Sequence, residues 1–436
     1  MLIAASSFLV RFVDRIVSSR TAWVFPDARH PMADTTTIAY IRKHAISVAF
    51  RQCKFCLGSA VGKWRVMQTL IKDAKLSGLR WLTFRGERRA VFNDLGRLFA
   101  VEIRSVQDAM PERLGLLKWR ESRNGIRRYK HLLSVAEQTY PDVLAELESM
   151  AQGAGLDPDY LFLANIRGDI GSYDGTGCTD LVWSRERSFV AHNEDAAPAV
   201  GADLMFLSLH IEGEQPVAVQ WYPGFIPSNA FAATAGNLVW GINHLPISAP
   251  GPGAGRHFAA RQLQQAQSLE EAIDLLRTHP IAGGFSFNIG ELKTGNVAVI
   301  ESAAGQIAVH RLDAEQPFAW HTNHLRSLPQ RLSAGTKNEE PHGATAQLGH
   351  ISESLARGDF LASVRLPVDE PGTDWFLKLL TGKELPEGVL RTARNEDPLA
   401  TLCTTITDLD AGTILVKGVG AEPETIAVED LIAGVG

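Results

Sequence analysis

Residues 177–195 constrain the fold of this chain more than any other stretch. Two strand-like runs, CTDLVW at 178–183 and FVAHNED at 189–195, flank the polar pentapeptide SRERS. Short apolar-rich runs bounded by a polar turn read as a β-hairpin. Centring that hairpin near Arg185 and Glu186 puts Cys178 opposite Asn193 or Glu194, with Asp195 alongside. Opposed residues in an antiparallel pair hold their Cβ atoms about 4.5–5.5 Å apart. The hairpin therefore gathers several polar groups around one thiol. The bland alternative is a set of ordinary hairpin-edge residues with Cys178 as a small strand filler.

The rest of the chain extends this pattern into an α+β fold. Residues 79–85 (LRWLTFR) alternate as a half-buried strand does, and Val91, Leu95, Leu98 and Phe99 then recur at helical spacing. A second helix is expected over YPDVLAELESMAQGAGL, stopped by Gly153 and Gly155. Beyond Cys178 strands dominate: FSFNIGEL, NVAVIES, QIAVHRL, TLCTTITDL and TILVKGV. Among them lies the helix SLEEAIDLLRTH, where Ser268 and Glu271 form a capping box and Pro280 ends the run. Many antiparallel strands with helices before and between them predict helices covering a two-sheet core, in one catalytic domain over 78–436.

Charge is unevenly spread. Residues 1–77 carry 12 basic and 4 acidic side chains, against a net charge of −6 for the whole chain. Residues 1–77 read as a basic extension ahead of the catalytic domain, with Met67 a plausible alternative start. Four cysteines in 436 residues make no disulfide framework, which predicts a reducing, cytoplasmic setting. The lone C-x-x-C at Cys53 and Cys56 has no second pair to complete a metal site. The first residues make a poor secretory signal, and no stretch is apolar enough to span a bilayer. Neither a nucleic-acid partner nor a cofactor is expected, and the oligomeric state is open.

Cys178 is the candidate nucleophile, and the glycine before it suggests how it would be activated. A distant histidine is one route, as in conventional Cys-His hydrolases. Cutting the bond between Gly177 and Cys178 is another, because it frees the cysteine's own α-amine. An α-amine titrates near 7.7–8.0 and a thiol near 8.5, so the amine is matched to take the thiol proton. Glycine at 177 places no side chain in the way of attack on its carbonyl.

The order of motifs resembles the acyl-coenzyme A:6-aminopenicillanic acid acyltransferase family, the C45 group of N-terminal nucleophile hydrolases. The resemblance runs over residues 79–422 through LGRLFAVEI, YLFLANIRGDI, DGTGCTDLVW, AHNEDA, GNLVWGINHLPI, VAVIES and HTNH. It implies a four-layer αββα sandwich. It also implies self-cleavage into a small part (78–177) and a large part (178–436). By position Cys178 matches the nucleophile and Asp195 the carboxylate that orients the new amine or steers processing. Asn323 matches an oxyanion-hole amide, and Arg394 the family's late arginine. Two departures stand out. Glu194 replaces the family's tryptophan between Asn193 and Asp195, and an N-terminal G-x-P-Y-E-R-G turn is degraded to RGERRAVFNDLG.

The implied substrate is a small N-acyl amide or acyl thioester, with Asn193, Glu194 and Asn243 as candidate contacts. The H-x-x-H of His321 and His324 lacks a third ligand at recognisable spacing and more simply frames Asn323. Cys403 alternates within an apolar strand and reads as core. Two rivals remain: a binding protein whose precursor never matures, and the conventional Cys-His hydrolase.

Overall fold

The computed structural model describes residues 69–110, 112–171, 177–228, 230–329, 332, 344–394 and 397–436. The chain divides into two units, Met1–Val66 and Met67–Gly436, and the described residues all belong to the second. Nearly all of the basic extension, with Cys53 and Cys56, lies outside them, as do residues 172–176.

Chain order begins with β1 (Leu70–Leu76) and β2 (Leu79–Gly86). Six helices follow: α1 (Arg88–Leu98), α2 (Ala100–Ala109), α3 (Arg113–Glu121), α4 (Arg123–Thr139), α5 (Pro141–Ala154) and α6 (Pro158–Asn165). Then come β3 (Gly177–Ser184), β4 (Ser188–Ala196), β5 (Met205–Ile211), β6 (Val217–Trp221), β7 (Phe231–Thr234) and β8 (Leu238–His244). Helices α7 (Arg256–Leu263) and α8 (Leu269–Thr278) precede β9 (Gly284–Glu291), β10 (Val297–Ala303), β11 (Gln306–Arg311) and β12 (Phe318–His321). The chain closes with α9 (Ala344–Ser363), α10 (Thr373–Thr381), β13 (Ala400–Asp408), β14 (Thr413–Gly418), β15 (Glu424–Ala427) and α11 (Val428–Ala433).

The strands form two sheets. One has nine strands in the order β1-β2-β5-β6-β7-β8-β9-β10-β11, and the other six in the order β12-β3-β4-β13-β14-β15. Among the described residues these strands all pair antiparallel except β2 with β5. Side chains alternate along each strand, so each sheet must cover two faces. Leu82, Phe84, Leu207, Leu209 and Trp221 pack on one face of the larger sheet with Phe92, Leu147, Phe162 and Phe258 from the helices. Its other face, with Trp81, Phe206, Ala218 and Val239, meets Val182, Val190, Cys403 and Val416 of the smaller sheet. The far side of the smaller sheet, with Leu181, Phe189 and Ile406, is covered by Leu361, Phe376 and Leu380. The layers are therefore helix, sheet, sheet, helix, the αββα sandwich.

Three local expectations need correction. Residues 70–76, assigned above to the extension, form edge strand β1 paired with β2 from Leu76↔Leu79 to Leu70↔Phe84. Its composition, LIKDAKL, suits an edge: Lys72, Asp73 and Lys75 discourage further pairing. The helical pattern after residue 88 is two helices, broken at Phe99 where φ is −108° and ψ 24°. Gly153 does not stop α5, which ends at the left-handed Gly155 (φ +65°). Gly153 instead permits a close crossing, since a Cβ there would lie 2.0 Å from the Asn93 carbonyl oxygen of α1. The box at α8 forms nearly as expected. Ser268 Oγ accepts from Glu271 N at 3.2 Å, while Glu271 reaches back to Gln267 N at 2.8 Å.

Candidate active site

The β3–β4 hairpin has the register Gly177↔Asp195, Cys178↔Glu194, Thr179↔Asn193 and Asp180↔His192. Alternation then sorts the polar side chains onto two faces. Cys178, Asp180, His192 and Glu194 point between the two sheets, whereas Thr179, Asn193 and Asp195 point towards α9 and α10.

Between the sheets the groups form a chain. Cys178 Sγ donates to Glu194 Oε2 at 3.4 Å. The same oxygen lies 3.3 Å from His192 Nε2, and His192 Nδ1 is 3.1 Å from both oxygens of Asp180. Tyr222 Oη donates to Glu194 Oε1 at 3.0 Å. All five residues are buried. Burial disfavours a charged imidazole, but Asp180 and then Glu194 outweigh it and hold His192 up at about 10, so the ring is protonated at neutral pH. The Cys178 thiol is pushed well above its ordinary range, first by burial and then by the charges of Glu194, Asp180 and Asp195.

On the other face Arg357 of α9, fully buried, ties the start of β3 in place. Its guanidinium donates to Cys178 O at 2.6 Å and Thr179 Oγ1 at 2.7 Å. It also donates to Asn323 Oδ1 at 2.9 Å. That oxygen accepts from Cys178 N as well, at 3.0 Å. Two donors on one side fix the amide's orientation, and Asn323 Nδ2 donates to His244 O at 3.1 Å. Asn323 follows β12, which pairs with β3 through His321↔Asp180, so the fold brings a residue 145 positions away onto the cysteine nitrogen.

Asp195 accepts from Thr401 Oγ1 at 2.7 Å and lies 3.7 Å from Arg391 Nη1. Burial raises its carboxyl to about 6 against the opposing charges of Arg391 and Arg357. Arg391 also explains Gly177: a Cβ on that residue would lie 2.1 Å from Arg391 Nη1.

The structure does not bring every sequence candidate to this cluster. Arg394 is 64 % exposed and pairs with Glu384, so the arginine beside Asp195 is Arg391, three residues earlier. Arg391 instead pairs with Asp397 and Glu353 as well as facing Asp195. Asn193 is on the face away from the thiol and committed at both ends. It donates to Leu380 O at 2.8 Å and accepts from Thr404 Oγ1 at 2.6 Å, which leaves little of it for a substrate. Asn243 lies on the larger sheet, accepting from Asn288 Nδ2 at 2.8 Å and donating to His321 O at 3.5 Å.

Several neighbours escaped the sequence reading. His192 and Asp180 were within reach of it, because they sit two residues from Glu194 and Cys178 and so share their face. Arg357, Arg391 and Tyr222 carried no local signal, since only tertiary packing brings them close.

Cys178, His192 and Glu194 present donor atoms within 4.8 Å of one another, a spread that suits a cation. The imidazole and the thiol would each have to lose a proton first. The H-x-x-H pair diverges: His321 bonds Glu301 at 3.0 Å, whereas His324 bonds Ser354 Oγ at 2.9 Å. Two cavities, of about 480 and 660 Å³, do not include Cys178, which is 4 % exposed, although Arg391 and Thr401 beside Asp195 line the second.

Comparison with known proteins adds three kinds of likeness. Among solved structures, a mutant conjugated bile acid hydrolase from Clostridium perfringens aligns with a TM-score of 0.36 and 12 % identity, covering 58 % of this chain and 94 % of that one. Penicillin V acylase from Agrobacterium tumefaciens aligns with a TM-score of 0.34 and 14 % identity, over 59 % and 89 %. A curated relative, the Drosophila melanogaster beta-alanyl-dopamine/carcinine hydrolase, is 23 % identical over 363 residues, 76 % of this chain and 90 % of that protein. The family model for acyl-coenzyme A:6-aminopenicillanic acid acyl-transferase matches residues 183–417. That match covers more than half of the sequence, and the chain belongs to this acyl-transferase family.

Proposed function

We infer that this protein is a self-processing N-terminal cysteine hydrolase that cuts small N-acyl amides through an acyl-enzyme on Cys178. The observation that carries the reading is the setting of Cys178. Its nitrogen is held by Asn323 at 3.0 Å, and the residue before it is a glycine packed against Arg391 Nη1. Cleavage before Cys178 would turn that nitrogen into an α-amine within reach of the thiol. The amine then takes the thiol proton, and Sγ attacks the substrate carbonyl. The leaving amine departs protonated, and water, or an acceptor amine, releases the acyl group.

Asn323 Nδ2 carries two N–H donors, one of which goes to His244 O; the second is the candidate oxyanion donor. Losing such a donor typically costs 10²–10³ in rate. Asp195, next to the cut in the hairpin register, would orient the new amine. A histidine base fits less well: His192 reaches Sγ only through Glu194, and its ring, held at about 10, lacks the lone pair a base needs.

The beta-alanyl amides named for the Drosophila relative are the first substrates to try. Intact-mass spectrometry of wild type and Cys178→Ala tests the processing step. Two chains in wild type, the larger beginning at Cys178, and one chain in the variant are expected. A wild type that hydrolyses amides while remaining one chain would overturn this reading.

A further inference from the structure

The α-amine that would activate Cys178 does not exist until the chain has been cut. In the continuous chain that nitrogen is a peptide amide donating to Asn323 at 3.0 Å, so it cannot accept the thiol proton. The first turnover, on the protein's own backbone, needs a different base. Resting on the reading that the chain is cut between Gly177 and Cys178, we propose that Glu194 is the general base of self-cleavage.

Glu194 Oε2 accepts from Cys178 Sγ at 3.4 Å, a direct contact with the atom that must lose its proton. Tyr222 Oη on Oε1 at 3.0 Å and His192 Nε2 near Oε2 at 3.3 Å fix the carboxylate in that place. Other candidates are worse placed. Asp180 is taken up by His192, and Asp195 is on the opposite face of the strand, bonded to Thr401. Buried in that company, a free thiolate is disfavoured, so attack must be coupled to proton transfer rather than follow it.

The step balances without a co-reactant. Glu194 takes the Sγ proton as Sγ closes a five-membered ring on the Gly177 carbonyl carbon. The bond from that carbon to the Cys178 nitrogen then breaks, and Glu194 gives the proton to the departing nitrogen. A Gly177 thioester and a free α-amine result. Water adds to the thioester, the C–S bond breaks, and the Gly177 carboxylate and Cys178 thiol are released. Glu194 ends as it began, and every later turnover uses the amine.

The test follows self-cleavage of the full chain over time, by intact mass, in wild type and Glu194→Gln. General-base assistance contributes about 10²–10⁴-fold, so cleavage in the variant should slow by at least a hundredfold. The residual rate should also rise about tenfold per pH unit, because hydroxide must replace the base. The groups facing Glu194 are Cys178, His192, Tyr222, Cys403 across the β4–β13 pairing, and Arg167 by its charge. All of them are unchanged in the variant. Hydroxylamine cuts thioesters without a protein base. It should not restore cleavage in Glu194→Gln if the block precedes thioester formation.

Cleavage at the wild-type rate, or full recovery with hydroxylamine, would overturn the proposal while leaving the nucleophile reading intact. A wild type that never splits would overturn both. Melting curves check that the variant folds. If Glu194→Gln does not fold, Glu194→Asp takes its place, with at least tenfold slowing expected and wild-type cleavage decisive against the proposal.

Discussion

Two cysteines flank Glu194, one on each neighbouring strand: Cys178 across β3 and Cys403 across β13. Both are buried and reduced. Both thiols are pushed up by burial first and then by the Glu194 charge. Their surroundings differ in what else is present. Cys178 donates to Glu194, has a glycine before it, and has Asn323 and Arg357 on its backbone. Cys403 has Leu402 before it and donates to Thr404 O at 3.7 Å. A carboxylate near a thiol is therefore not what makes a candidate nucleophile in this fold. The backbone on either side of the thiol makes the difference, by offering a bond that can be cut and a nitrogen that is held.

The largest expected effect follows directly. Cys178→Ala should leave one chain and no amide turnover, because both the attacking atom and the site of the cut are lost. Gly177→Ala is the sharper probe, since it keeps the thiol and disturbs only the backbone. Its methyl would fall 2.1 Å from Arg391 Nη1, and overpacking of that kind costs about 1–3 kcal/mol. Self-cleavage should slow roughly 10–100-fold by that measure. Adding Arg391→Ala, which vacates the space, should recover part of the loss in a time course of the two chains. No recovery in the double variant would show that Gly177 matters for some reason other than room.

Two pH profiles test one carboxylate and the imidazole around the first cysteine. Asp195 is held up at about 6 against an ordinary 3.8. If its ionised form orients the amine, turnover should rise as pH climbs through about 6. Asp195→Asn should lose that limb. His192 is read through stability instead of turnover. Above 6.5 the unfolded chain has released a proton that the folded chain keeps until about 10. The stabilisation is full below 6.5 and drains away as pH rises towards about 10. Thermal melting of wild type should therefore fall more steeply between pH 7 and 10 than that of His192→Gln.

The comparison also shows what a sequence can reveal of such a site. The hairpin arithmetic placed Cys178 opposite Asn193 or Glu194, the second of which is the partner in the structure, because a polar turn and period-two alternation are local properties. The two-sheet core was legible for the same reason, in the alternating runs after residue 178. Arg391 was missed in favour of Arg394 because the stretch between α10 and β13 has no periodicity to say which side chain turns inward. Arg357 lies 179 positions from Cys178, on a helix that the sequence reading did not assign. Contacts set by how layers stack are not written in local spacing. β1 was missed for a different reason: an edge strand with two lysines and an aspartate resembles a solvated tail until its partner is known.

The smallest effect sharpens the comparison most. Cys403→Ala removes a buried sulfur from the layer between the sheets but touches neither the scissile bond nor the groups on the Cys178 backbone. A buried truncation of this size costs on the order of 1 kcal/mol, so the melting temperature should drop by about 2–4 °C. Self-cleavage and amide turnover should stay within about twofold of wild type. Glu194 is common to both cysteines, so this variant also asks whether its carboxylate depends on the packing behind it. A tenfold loss of cleavage with normal melting would mean that Cys403 holds Glu194 in place for Cys178. The two cysteines would then be parts of one device rather than a nucleophile and a filler.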